Sequence, residues 1–108
     1  VVAVDSQMLK MILPYSTALA KEMDQIIAYS SAGMEKARPQ SHLGNFVCDL
    51  ILKEDYAVQP DLSFTNFGGL RAPLPAGAIT KRHIYELMPF DNQVVLVKLT
   101  SDQWKQLL

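Results

Sequence analysis

Apolar residues along this chain switch repeatedly between helical and strand spacing, and hydroxyl residues stand at several of the switches. Met8, Ile12, Tyr15, Leu19 and Met23 recur at steps of three or four, which predicts a helix from Ser6 to about Glu22. Pro14 falls inside that run and predicts a kink or short break, because proline removes a backbone donor. "QIIAYS", residues 25–30, reads as a short strand, and "SAGMEKARPQ" then supplies turn residues and charge. Ser41 is placed to cap a helix from His42 to Lys53, with Leu43, Phe46, Val47, Leu50 and Ile51 on one face. "DLSFTN", residues 61–66, reads as another short strand. Thr80 caps a helix from Lys81 to Leu87, which Pro89 ends. "QVVLVKLT", residues 93–100, is the clearest strand signal, and Thr100 with Gln103 forms a capping-box pair that opens a last helix. This alternation predicts one α/β (α+β mixed) domain over residues 1–108, with helices packed on a mixed sheet.

Composition bounds what such a domain meets. Hydrophobic residues make up 49% of the 108, enough for a core, and the length suits one domain. With 10 basic and 11 acidic residues the net charge is -1, so no broad attraction to nucleic acid or an anionic membrane is expected, and any anion site must be local. A single cysteine, Cys48, excludes an internal disulfide, and its helix-spaced apolar neighbours predict a buried, inert thiol. No apolar run approaches the roughly 18 residues of a membrane span. The chain does not begin with methionine, and its last helix reaches the final residue after about two turns. A trimmed start and a continuation beyond residue 108 are therefore expected.

Motifs of complete catalytic machines are lacking. His42 and His83 lie far apart and belong to no HxH or HExxH pattern, so no metal site is expected from them. There is no GxSxG elbow and no GxxxxGK phosphate loop. The suggestive stretch is "SFTNFGGLRAPLPAGAIT", residues 63–80. Gly68 and Gly69 follow a strand-like run, where a backbone can approach a ligand or adopt positive φ. Asn66 offers both a donor and an acceptor, and Arg71 a planar fork suited to phosphate or carboxylate. A tight turn followed by a surface arginine is the plainer alternative. In "LMPFDN", residues 87–92, Phe90 follows the helix-ending Pro89; it either stacks on a planar ring or anchors the turn in the core.

Together, "SHLGNFVCD", "TNFGGLRAPLPAGAIT", "HIYELMPFDNQVVLVKLT" and "DQWKQLL" resemble the C-terminal domain of the 5'-nucleotidase family. Order and spacing match from about Arg38 to the end; residues 1–35 resemble the leading helix and strand less specifically. The resemblance implies a domain that grips a nucleotide while a separate metallophosphatase domain, fused or on another chain, holds two divalent metal ions and the catalytic groups. It implies that Asn66 and Arg71, on a loop made close-fitting by Gly68 and Gly69, contact substrate, and that Phe90 stacks on the base. It further implies an exported, periplasmic or cell-envelope setting and a role in nucleotide catabolism. There are departures. Phe67 replaces the first of three glycines usual in the family loop, and a ring there either reshapes the pocket or packs beneath it. Arg38 lies one position later than an ungapped match to the family's upstream arginine. The second aromatic of the base clamp lies beyond residue 108. A non-catalytic domain that pairs with a separate metallophosphatase chain is the alternative function.

Overall fold

The computed structural model describes residues 6–108, apart from the side chains of Met8, Leu9 and Ile12. Helix α1 spans Ser6–Met23, strand β1 Ile26–Ser30, helix α2 His42–Lys53, strand β2 Gly77–Thr80, helix α3 Lys81–Leu87 and helix α4 Ser101–Leu107. A single 3-10 turn, Phe67–Gly69, lies in the long connection between α2 and β2. The result is an α+β arrangement, as expected. The sheet among the described residues is one antiparallel pair, β1 with β2, with an irregularity in register between Ile26 and Ala28.

The helix starts follow from local chemistry. Ser41 Oγ accepts from the Gly44 N–H at 3.0 Å, satisfying one of the donors a helix start leaves open. Thr80 ends β2 and caps α3 at once: its Oγ1 accepts from the His83 N–H, while its own N–H donates to His83 Nδ1 at 2.9 Å. Histidine thus takes the place of the usual Glu or Gln in a capping box. Thr100 and Gln103 form the expected box on α4. At the other end of α2, Tyr56 Oη donates to the Ile51 carbonyl at 2.5 Å and Gln59 Nε2 to that of Leu52 at 2.8 Å. These bonds supply partners that the last helical carbonyls lack.

Several expectations are corrected. Helix α1 runs through Pro14 without a break. Of its expected apolar stripe, Met8 and Ile12 lie outside the described side chains, while Tyr15 and Leu19 are exposed. Residues 61–66 form no ladder; Ser63 Oγ instead donates to the Cys48 carbonyl, fastening this segment to α2. Residues 93–100 form no ladder either, and Val94, Val95, Leu96 and Val97 are all exposed. Strand propensity records fit to a pleated, half-buried surface, and here no strand among the described residues lies alongside to supply one. In turn β2, for which no strand is expected from the sequence, is the partner of β1. On α2, Leu43 and Val47 are buried and Ile51 packs at the core margin, but Phe46 and Leu50 are exposed. Cys48 is half-buried rather than buried.

The buried core is small: Leu43 and Val47 of α2, Leu70 and Leu74 of the connection, Ile79 of β2 and Leu87 of α3, flanked by Met34, Ile51 and Met88. The radius of gyration, 18.9 Å, exceeds the roughly 13 Å of a well-packed chain of about this length. The core sits directly under the residue 66–76 connection, so its main effect is to hold that loop. Helix α1 joins α3 through Lys81–Glu22 (3.5 Å) and Arg82–Asp24 (3.1 Å), exposed pairs of small individual worth.

Candidate functional site

The loop is built by alternation of anchors and exposed groups. Leu70 and Leu74, each 2% exposed, are driven into the core against α2, and Arg71 between them remains exposed. Two backbone links fix its course. Met34 and Leu74 exchange both N–H···O bonds at 2.9 Å, which brings the residue 34–38 segment beside the loop. The Arg71 N–H donates to the Leu87 carbonyl at 2.8 Å, which ties the loop to the last turn of α3. Phe90 follows that turn by three residues and is 51% exposed, so its ring belongs to the surface rather than to the core. The loop is thereby tied at Arg71 to the end of α3, three residues before Phe90.

Asn66 precedes the 3-10 turn, and its carbonyl accepts from the Gly69 N–H at 3.0 Å. Its side-chain amide bonds nothing among the described residues, which leaves its donors and acceptor open. The positive φ expected of these glycines falls elsewhere. Neither Gly68 nor Gly69 has positive φ; Gly77 does, at 87°. At Gly69 the absence of a side chain leaves room for the Asn66 amide where it now lies: a Cβ there would be 2.7 Å from Asn66 Oδ1. At Gly68 the nearest atom, Asn66 Nδ2, would be 3.7 Å away, an ordinary contact.

Arg71 borders an open depression of about 200 Å³ together with Glu35, Lys36, Ala72 and Pro73. Phe67 stands beside it, 37% exposed. The Arg38 Cζ lies 4.2 Å from the Phe67 ring centroid and the Lys36 Nζ 4.3 Å, and Lys36 also donates to the Phe67 carbonyl at 3.4 Å. Arg38 is therefore brought to the loop despite its offset in sequence. Sequence reasoning missed Lys36 and Glu35; the only signal was the charge in "SAGMEKARPQ". His83 is engaged as a helix cap. Among the described residues no three of His, Cys, Asp and Glu gather where a metal ion could be held, and no helix is long and apolar enough to cross a membrane.

These features define an α+β domain whose anchored loop displays an amide, a guanidinium and the ring of Phe67. Residues 19–108 match the family model described as 5'-nucleotidase, C-terminal domain, and the chain belongs to that family. It is 28% identical over 100 residues to the trifunctional nucleotide phosphoesterase protein YfkN of Bacillus subtilis, covering 87% of this chain and 7% of that protein. It is 27% identical over 104 residues to a 5'-nucleotidase of Vibrio cholerae, covering 92% of this chain and 18% of that protein. The chain thus spans a small part of the length of these relatives. No solved structure matches.

Proposed function

We propose that this chain is the nucleotide-recognising part of a phosphohydrolase that releases phosphate from nucleotides. The observation that supports the reading is the Arg71 N–H to Leu87 carbonyl bond, which links the Asn66–Arg71 loop to the end of α3, three residues before the exposed Phe90. In this reading Phe90 stacks on the base, as aromatic rings do on nucleobases generally. Asn66 and Arg71 bond the polar remainder, and Gly69 lets the Asn66 amide lie against the turn. Recognition of this kind accelerates a reaction by fixing the geometry of the substrate. Hydrolysis itself falls to a metallophosphatase domain, on the same or a separate chain, whose two divalent ions would activate a water. The residues described here do not fit those ions, since they hold no ligand cluster. The names of the two relatives, a nucleotide phosphoesterase and a 5'-nucleotidase, support the substrate class. An exported or periplasmic setting and a place in nucleotide catabolism go with the same reading.

Calorimetric titration with AMP and adenosine tests it. Saturable binding of both, weakened by Phe90→Ala, is expected. Binding of neither would favour the other reading, a domain that only pairs with a metallophosphatase chain. Phosphate release from AMP by this chain alone, with zinc, manganese, cobalt or magnesium added, is expected to equal the buffer blank.

A further inference from the structure

Phe67 is the loop residue whose side chain collects charge. Lys36 Nζ and Arg38 Cζ lie 4.3 Å and 4.2 Å from the centre of its ring, both within cation–π range. Arg71 shares the adjoining depression with Lys36, and Glu35 is the one carboxylate that lines it. Among the described residues none of Lys36, Arg38 and Arg71 forms an ion pair; the pairs present are Glu22–Lys81 and Asp24–Arg82, between the end of α1 and α3. Three cations against one carboxylate is a local excess of positive charge in a chain whose net charge is -1. Such groups repel one another. What offsets the repulsion on the protein side is the ring face.

We propose that Phe67 is a positioning residue: its ring holds both Arg38 and Lys36, the latter lining the same depression as Arg71, so that the loop presents a prearranged site for a phosphate-type dianion. Free lysine and arginine side chains lose rotamer freedom when they close on an anion. A ring that already holds both heads reduces that loss, which is how preorganisation raises affinity. The two cations are complementary, Lys36 as a compact charge and Arg38 as a planar fork. That the dianion is the phosphate of a nucleotide rests on the function proposed above; the anion site itself rests on the ring and cation geometry. The consequence is selectivity: charged nucleotides are favoured over uncharged nucleosides through a residue that touches neither base nor sugar.

The test is calorimetry on the complete protein with three probes: pyrophosphate, AMP and adenosine. Phe67→Leu keeps an apolar side chain at a partly exposed position but removes the ring face. It is expected to weaken pyrophosphate and AMP about three- to tenfold and to change adenosine less than about twofold. Phe67→Tyr keeps the ring and is expected to bind all three as wild type does. Lys36→Gln combined with Arg38→Gln should lose pyrophosphate affinity too, and adding Phe67→Leu to that pair should cost nothing more, the signature of groups acting together. Wild-type pyrophosphate affinity in Phe67→Leu overturns the proposal. So does an equal loss for pyrophosphate and adenosine, which marks general damage to the loop, and so does a wild-type protein that binds no pyrophosphate. Pyrophosphate binding with the expected pattern, but no adenosine binding by wild type, leaves the anion site standing and removes the nucleotide reading instead.

Discussion

Replacing Gly69 by alanine separates ligand binding from stability at this site. The new Cβ would lie 2.7 Å from Asn66 Oδ1, 3.4 Å from Cγ and 3.5 Å from Nδ2. The amide oxygen must therefore withdraw to at least an ordinary 3.4 Å contact. It is free to do so, since Asn66 is exposed and its side chain bonds nothing among the described residues. An off-rotamer amide costs about 0.5–1.5 kcal/mol. Against this, alanine at a site without positive φ restricts the unfolded chain and returns about 0.4–1 kcal/mol. Net stability should change by less than about 1 kcal/mol, the difference of those two terms. The ligand, by contrast, loses the amide where it was held. One neutral hydrogen bond is worth about 0.5–1.5 kcal/mol, so KM for a nucleotide should rise about two- to twelvefold. Gly68→Ala is the control, because its Cβ meets Asn66 Nδ2 at an unremarkable 3.7 Å. The assay pairs steady-state kinetics of the complete enzyme with thermal denaturation. Equal KM values for the two variants would refute the reasoning. A fall in Tm of many degrees for Gly69→Ala alone would mean that the turn backbone yields, not the amide.

Three further outcomes are expected. Arg71→Ala and Arg71→Lys should both raise KM by the equivalent of about 1.5–3 kcal/mol, since lysine keeps the charge but not the fork; wild-type KM and kcat in Arg71→Ala would return this side chain to the solvated surface. Phe90→Ala should weaken nucleoside binding by about 1–3 kcal/mol with little change in Tm, as its ring is half exposed; a large Tm loss with unchanged affinity would make it a core residue. Leu43→Ala, at a fully buried position in a core of six residues, should cost about 2–5 kcal/mol in urea denaturation, and a cost under 1 kcal/mol would show that α2 does not anchor the loop.

The elements legible from sequence are those made by contacts a few residues apart. The starts of α2, α3 and α4 are set by Ser41, Thr80 and Thr100, each bonding a donor three residues ahead. Such bonds form wherever the segment is helical, so the sequence determines them alone. The family blocks were equally legible, and the chain's membership follows from them. Asn66, Gly68, Gly69, Arg71 and Phe90 could be named as candidates, but not the backbone bond that ties Arg71 to the end of α3.

Tertiary structure decided the rest. Strand residues 61–66 and 93–100 have the right composition, yet a ladder needs a second strand at the right distance, and β1 found its partner in residues 77–80 instead. Gly69 lacks the expected positive φ, and its missing Cβ leaves room for the Asn66 amide. Arg71 meets Leu87, and Phe67 meets Lys36 and Arg38, across long intervening stretches of chain. These pairings depend on where the small core under the loop pins Leu70 and Leu74, a cooperative outcome of packing that no local pattern of residues encodes.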